Sequence, residues 1–365
     1  MSYRIRASDR TAFKRCRRAW NLGSRNRQNW EPNPQPGSVD LERAVRDALA
    51  VYYFPGMWEW NRAIVQPLVH RALDKSVHGQ LDRGEVDDQA GREALERGHA
   101  LLDAYVAWAP TVDHFTPLRI DTDFEVDIPD PAKPGFGLLT PDGEPIRYSD
   151  RVDLLAIDEN DAYWAIQHRL VVDGWADDDA LQLDERTIAW CWAWPLFYLG
   201  MRVAGTVYNE IRADSAELGM TLPSQVPGPS QVAEHREIRH RKMYARSVAV
   251  PRERVRAEGT DGFRRTHILR GEAELASAGA HLAAEASAAT SADLQIYPTP
   301  APEICAQCAY RSPCLVLNEG RDPGDELARS YRHRPPEAIL EEGRLGGVSW
   351  SMNRGAAPPR WPRRS

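Results

Sequence analysis

Five cysteines stand in the 365 residues, and three of them fall within ten positions, in Cys305-Ala-Gln-Cys308 followed by Ala-Tyr-Arg-Ser-Pro-Cys314. Thiolates at C-x2-C-x5-C spacing are soft ligands that suit tetrahedral zinc or an iron-sulfur cluster. A four-thiolate site needs one more. Cys191, in Ala-Trp-Cys-Trp-Ala-Trp, reads as a buried inert thiol, whereas Cys16 lies in the polar, arginine-rich run Phe-Lys-Arg-Cys-Arg-Arg-Ala-Trp. The expected quartet is therefore Cys16, Cys305, Cys308 and Cys314, a staple between the first helix and the C-terminal loop. Zinc ribbons usually show two close pairs of ligands. Here one ligand is far upstream, and no pair of histidines stands nearby to complete a finger.

A second group of residues bears on phosphate chemistry. Arg151-Val152-Asp153-Leu154-Leu155-Ala156-Ile157 reads as a buried strand, Asp158-Glu159-Asn160-Asp161 as a hairpin turn, and Tyr163-Trp164-Ala165-Ile166-Gln167-His168-Arg169 as its partner. Residues 1–30 carry nine Arg or Lys against one acid. Phe13, Cys16 and Trp20 recur there at helical spacing after a Ser8 or Asp9 cap, so Lys14, Arg15, Arg17 and Arg18 decorate one helix that Gly23 can stop. That face either binds phosphate near the cysteines or is an ordinary solvated surface. A second basic stretch, His235 to Arg270, has eleven Arg or Lys against four acids and includes the pair Arg264-Arg265.

One cysteine in an N-terminal helix, in a Ser8 to Trp20 segment with a Cys-basic-basic-x-Trp unit, and C-x2-C-x5-C hundreds of residues later resemble the iron-sulfur nucleases of the RecB and AddB type and the CRISPR-associated exonucleases. The resemblance runs over roughly residues 5 to 335 as an ordered series of short motifs. It implies a [4Fe-4S] cluster on the quartet, a PD-(D/E)XK nuclease core and DNA, single-stranded or end-containing, as partner. In such a core two carboxylates on adjacent strands hold Mg2+ or Mn2+, which lowers the pKa of a bound water, and a lysine positions that water. The chain keeps Asp153 as a ligand for the divalent cation. It has Gln167 in place of the second carboxylate, Arg169 in place of the lysine, Arg46 in place of a metal-binding histidine, and Arg186 and Trp190 in place of a Gln-x-x-x-Tyr pair that contacts DNA and metal. Asp153, Gln167 and Arg169 thus form a degenerate catalytic set; Arg186, Trp190, Arg264 and Arg265 join the basic helix as candidate DNA contacts. Asp153 has a plainer reading too, as a carboxylate paired with Arg151 or Arg169.

The elements that must position these groups follow from periodicity. A composition of 42% hydrophobic and 27% charged residues suits a globular chain. Net charge −7 argues against a generally adhesive basic protein, and two basic stretches on an acidic chain favour a defined groove. Without a run of 18 apolar residues or an apolar leader, and with an odd number of cysteines, a cytoplasmic protein outside the membrane is expected. Helices are expected from Ser38 to about Tyr53, Trp60 to Leu73, Gln89 to Trp108, Asp179 to Tyr198 and Arg264 to Ala289, with strands from Phe115 onward, at Met201 to Ile211 and at Met243 to Val250. The expected fold is α/β, a central mixed sheet flanked by helices, divided into an N-terminal helical region (1–110), a nuclease-like core (111–212), a linker (213–235), a basic C-terminal region with the cysteines (236–335) and a disordered tail (336–365). Two functional readings follow: a DNA-binding relative with weakened or lost hydrolysis, or a working nuclease on DNA ends, in repair or recombination, whose metal is held by Asp153, Gln167 and Glu125. A zinc-stapled interaction module is a third.

Overall fold

The structure, a computed structural model, describes residues 2–33, 37–172, 174–198, 201–214 and 254–335, and the paired strands Arg344–Leu345 and Val348–Ser349. The rest of the tail expected to be disordered lies outside the described residues. The linker beyond 214 and the strand expected at Met243 to Val250 lie outside the described residues.

The chain forms an α/β architecture around a seven-stranded mixed sheet. Its axis is β4 (Ile146–Asp158), bordered along one whole edge by antiparallel β3 (Phe115–Asp127). The other edge of β4 is shared. Its first half pairs in parallel with β1 (Tyr3–Arg6), and its second half pairs antiparallel with β5 (Tyr163–Val171) from Leu154↔Ile166 to Ile157↔Tyr163. The four residues 150–153 fall in the fork between these partners. From β5 the chain crosses to the parallel strand β6 (Val203–Arg212), and β8 (Phe263–Leu269) and β7 (Val255–Gly259) continue the sheet antiparallel.

Three helices cover one face: α3 (Leu41–Tyr52), α4 (Arg62–Asp82) and α5 (Asp88–Trp108). Each starts where a side-chain oxygen takes up a free helix amide: Asp40 accepts from Arg43 N, Asn61 from Ala63 N and Asp87 from Ala90 N. Ala44, Val45, Ala48, Leu49 and Tyr52 of α3 meet Leu154, Ala156, Trp164 and Ile166 in one core. On the opposite face α7 (Glu185–Phe197) and α8 (Glu272–Thr290) bury Trp190, Trp194, Leu282 and Ala286 against Ile5, Tyr148, Val152 and Leu155. A short α6 (Asp178–Gln182) precedes α7, so the helix expected from Asp179 to Tyr198 is split by a new cap at Asp184.

Several other expectations are corrected. Within the region 1–110 expected to be helical, residues 3–6 form β1 and Trp30–Pro32 form β2, which pairs antiparallel with Tyr331–His333. The first helix is two, α1 (Ala7–Arg15) and α2 (Arg17–Gly23), broken where Cys16 is extended at φ −164°. The helix expected from Arg264 starts at Glu272; Phe263-Arg-Arg-Thr-His-Ile-Leu is instead strand β8, held between β6 and β7. The sheet therefore takes strands from both sides of the interval 111–212. Among the described residues no helix is long and apolar enough to cross a membrane.

Candidate functional site

The fork in β4 gathers the residues singled out for phosphate chemistry. Asp153 is 5% exposed, and its Oδ2 accepts from the His168 backbone amide on β5 at 3.0 Å. Gln167 precedes His168 on the same strand. The charges of Arg46 on α3 and Arg186 on α7 favour the ionised form of Asp153. Arg46, Arg169 and Arg186 all act on Glu42 of α3. Arg169 also stands over the Tyr208 ring at 5.9 Å and neighbours Glu210 in the β5–β6 register.

The acids in this fork are unequal. Asp150 is saturated: Arg186 Nε and Nη2 donate to it at 3.1 and 3.0 Å, Trp190 Nε1 at 2.8 Å and Tyr148 OH at 3.1 Å. Asp153 is not. Burial pushes its carboxyl up to about 6, against the pull of Arg46, the His168 amide and Arg186, and the Asp121 carboxylate adds to the rise. Asp121 sits at φ 42°, a left-handed conformation that costs a non-glycine residue energy, and Arg151 Nη1 donates to it at 3.0 Å. Gln167 Oε1 is a buried acceptor without a hydrogen-bond partner. Glu125, by contrast, is taken by Arg147 and Arg4. Asp150, Asp121 and Glu42 were not singled out from sequence; the D-x-x-D spacing with Asp153 is a local signal for Asp150, and Asp121 and Glu42 have none.

The raised Asp153 carboxyl has a consequence for stability. The folded state holds its proton more tightly than the unfolded state, so stability falls as pH rises from about 4 to about 6, and the cost is fully present at pH 7. Asp153→Asn keeps an acceptor for the His168 amide and removes the charge. It is expected to stabilise the protein at pH 7 by up to about 3 kcal/mol and to be nearly neutral at pH 4. Urea melts at both pH values decide it: equal effects at the two would sink the assignment.

The expected DNA contacts divide. Arg265 is 1% exposed and ion-paired with Asp113; Nη2 donates to Tyr53 OH at 2.6 Å and Tyr105 OH at 3.1 Å, and Nε to Asn209 Oδ1 at 3.3 Å. It is a core cation and corrects the expectation of a groove contact. Asn209 Nδ2 in turn donates to His168 Nδ1 at 2.8 Å, which fits an imidazole pushed down to about 3 by burial and held neutral. Trp190 is fully buried and so offers no stacking face. Arg264 is tied to Asp178 and the Ala176 carbonyl, and Lys14 to Glu185 and Glu285.

Arg15, Arg17 and Arg18 turn toward the cysteine segment instead. Arg15 Nη2 donates to Ile304 O at 3.5 Å, Arg17 lies between the Phe13 and Tyr297 rings, and Arg18 Nη1 reaches Cys314 O at 3.2 Å, Cys314 Sγ at 3.5 Å and Asn318 Oδ1 at 3.1 Å. The basic helix face is thus the docking surface for α9 (Pro302–Ala306) and α10 (Arg311–Asn318), which carry Cys305 and Cys314.

All four cysteines of the expected quartet are half-buried, while Cys191 is fully buried beside Thr206 Oγ1 with its thiol pushed up to about 11. Cys16 stands at the extended break between α1 and α2, which points a thiol away from both helix barrels and toward Thr299, whose amide donates to Sγ at 3.5 Å. Sulfurs on a helix break and on two short helices, with donors already aimed at two of them, fit a thiolate-ligated group. Among the described residues no three His, Cys, Asp or Glu side chains converge on one metal-ion position. No family model matches the chain, and no curated protein matches it in sequence.

Proposed function

We propose that the chain is a DNA-binding relative of the RecB-like iron-sulfur nucleases in which phosphodiester hydrolysis is weakened or lost. The observation that carries this reading is the surroundings of Asp153: its carboxylate is held by the His168 amide, the preceding residue on β5 is the neutral Gln167, and the nearby Arg186 guanidinium is bound to Asp150. A guanidinium can hold a phosphate oxygen, but it remains protonated and lowers no water pKa, so it cannot replace the metal or the lysine in hydrolysis. The order of elements also supports the reading, with α3, then three antiparallel strands, then α7 and a parallel strand, and the acid at the junction of β4 and β5. Cys16, Cys305, Cys308 and Cys314 would hold the [4Fe-4S] cluster, which ties the first helices to the C-terminal segment.

A working metal-dependent nuclease is the second reading, favoured by one observation: Asp121 falls opposite Asp153 in the β3–β4 register, between Ile120↔Leu154 and Thr122↔Val152. Mg2+ or Mn2+ between Asp153 and Asp121 would then replace the missing second acid. Anaerobically purified protein, assayed for single-stranded DNA binding and Mn2+-dependent cleavage beside Asp153→Ala and Asp121→Ala, separates the two. The expected result is binding without cleavage in all three proteins. Cleavage by the wild type that disappears in both variants would overturn the first reading in favour of the second.

A further inference from the structure

We propose that Arg18 and the Thr299 amide are sulfur donors for the cysteine site, each supplied by the segment that carries the opposite ligand, and that they set the site's reduction potential. The inference rests on the iron-sulfur reading of the quartet. Residues 297–299 lie against the helix break in a two-rung ladder. Arg18 N donates to Tyr297 O at 3.1 Å, and Thr299 N donates to Cys16 Sγ at 3.5 Å, so the sulfur takes the place a carbonyl would have in an antiparallel pair. From the other side Arg18 Nη1 donates to Cys314 Sγ. The α2 segment thus serves a sulfur of α10, and the loop before α9 serves the sulfur of Cys16.

The sequence makes the Thr299 donor specific. In Pro298-Thr299-Pro300 the two prolines have no N–H, so Thr299 carries the one backbone donor of the run. Prolines on both sides also restrict the segment to extended backbone, which keeps that donor aimed. Arg18 is fixed in turn, since the same Nη1 is shared with Cys314 O and Asn318 Oδ1. Hydrogen bonds to cluster sulfurs stabilise the more negative, reduced state and raise its potential. Arg18 and Thr299 are positioning residues here, acting through the ligand sulfurs.

The test compares the full-length wild type, Thr299→Pro and Arg18→Gln, purified anaerobically, by iron content and by the midpoint of a mediated dithionite titration followed by electron paramagnetic resonance. Thr299→Pro removes one donor and keeps an extended backbone. It is expected to retain iron and to disfavour reduction about tenfold, about 59 mV for a one-electron couple. Arg18→Gln is expected to lower the midpoint likewise or, where docking of α10 fails, to lose iron. Iron-loaded variants with the wild-type midpoint overturn the inference and leave the cluster standing. A wild-type chain purified without iron overturns the cluster reading itself.

Discussion

Cys308→Ala protein is expected to purify colourless, with its iron content near zero and much of it insoluble; Cys16→Ala should match it, and Cys191→Ala should stay coloured. The reason is that the expected ligands come from both ends of the chain. Around the cysteine segment the apolar contacts are two small clusters, Phe13 with Trp20 and Ala289, and Leu22 with Leu327 and Tyr331. Polar ties between the ends are more numerous: Trp30–Pro32 pairs antiparallel with Tyr331–His333, Glu31 pairs with Arg332 and Arg334, and Arg15, Arg18 and Thr299 add bonds beside the cysteines. A hydrogen bond contributes only about 1 kcal/mol net, against a whole-chain stability of order 5–15 kcal/mol, so a group bound by ligands from both ends adds a large share to these ties. When a bound group joins ligands from both ends, its binding free energy is folding free energy, and loss of one ligand forfeits most of it. A fully folded, coloured Cys308→Ala protein would remove Cys308 from the quartet.

The parts of the fold that were legible in the sequence are those whose signals are local. Asp40 and Asp87 mark the starts of α3 and α5 because each caps amides two or three residues away. Asp158, with Asn160 and Asp161, marks the β4–β5 turn because its carboxylate closes it: Oδ1 accepts from Asn160 N and Ala162 N. The parts that were not legible depend on distant partners. Strand β1 is four residues long, and only its pairing with β4 distinguishes it from a leader to α1. Arg264-Arg265 reads as basic surface until Asp178 and Asp113 are brought beside it. The site is divided in the same way. Its positions were readable as motif spacing, Asp153 against Gln167 and Cys16 against Cys314, but the saturation of Asp150 and the approach of Asp121 arise only when α7 and β3 pack around the fork.

Asp113→Ala is expected to cost about 3–5 kcal/mol of folding stability, the second largest effect of any substitution considered. It leaves the Arg265 guanidinium, 1% exposed and stacked between Trp108 and Phe115 at 5.2 Å from each ring, with only phenol and amide oxygens as partners. The charge cannot be shed, because arginine stays protonated, and water cannot reach it. Arg265→Met is gentler. Burial already pushes the Asp113 carboxyl up, so it can take a proton once its partner is gone, and Tyr53 OH can still donate to it. The double variant Asp113→Leu/Arg265→Met should recover most of the loss, since replacing both charges removes the desolvation penalty along with the attraction. Urea denaturation of the three variants ranks their stabilities; a cost below about 1 kcal/mol for Asp113→Ala would mean that Arg265 reaches water. The same network runs through Asn209 to His168, whose backbone amide holds Asp153. Asp113→Ala should therefore also loosen the fork in β4 and weaken the proposed DNA binding in whatever folded protein remains, whereas the double variant, with its core closed again, should match the wild type in the same assay.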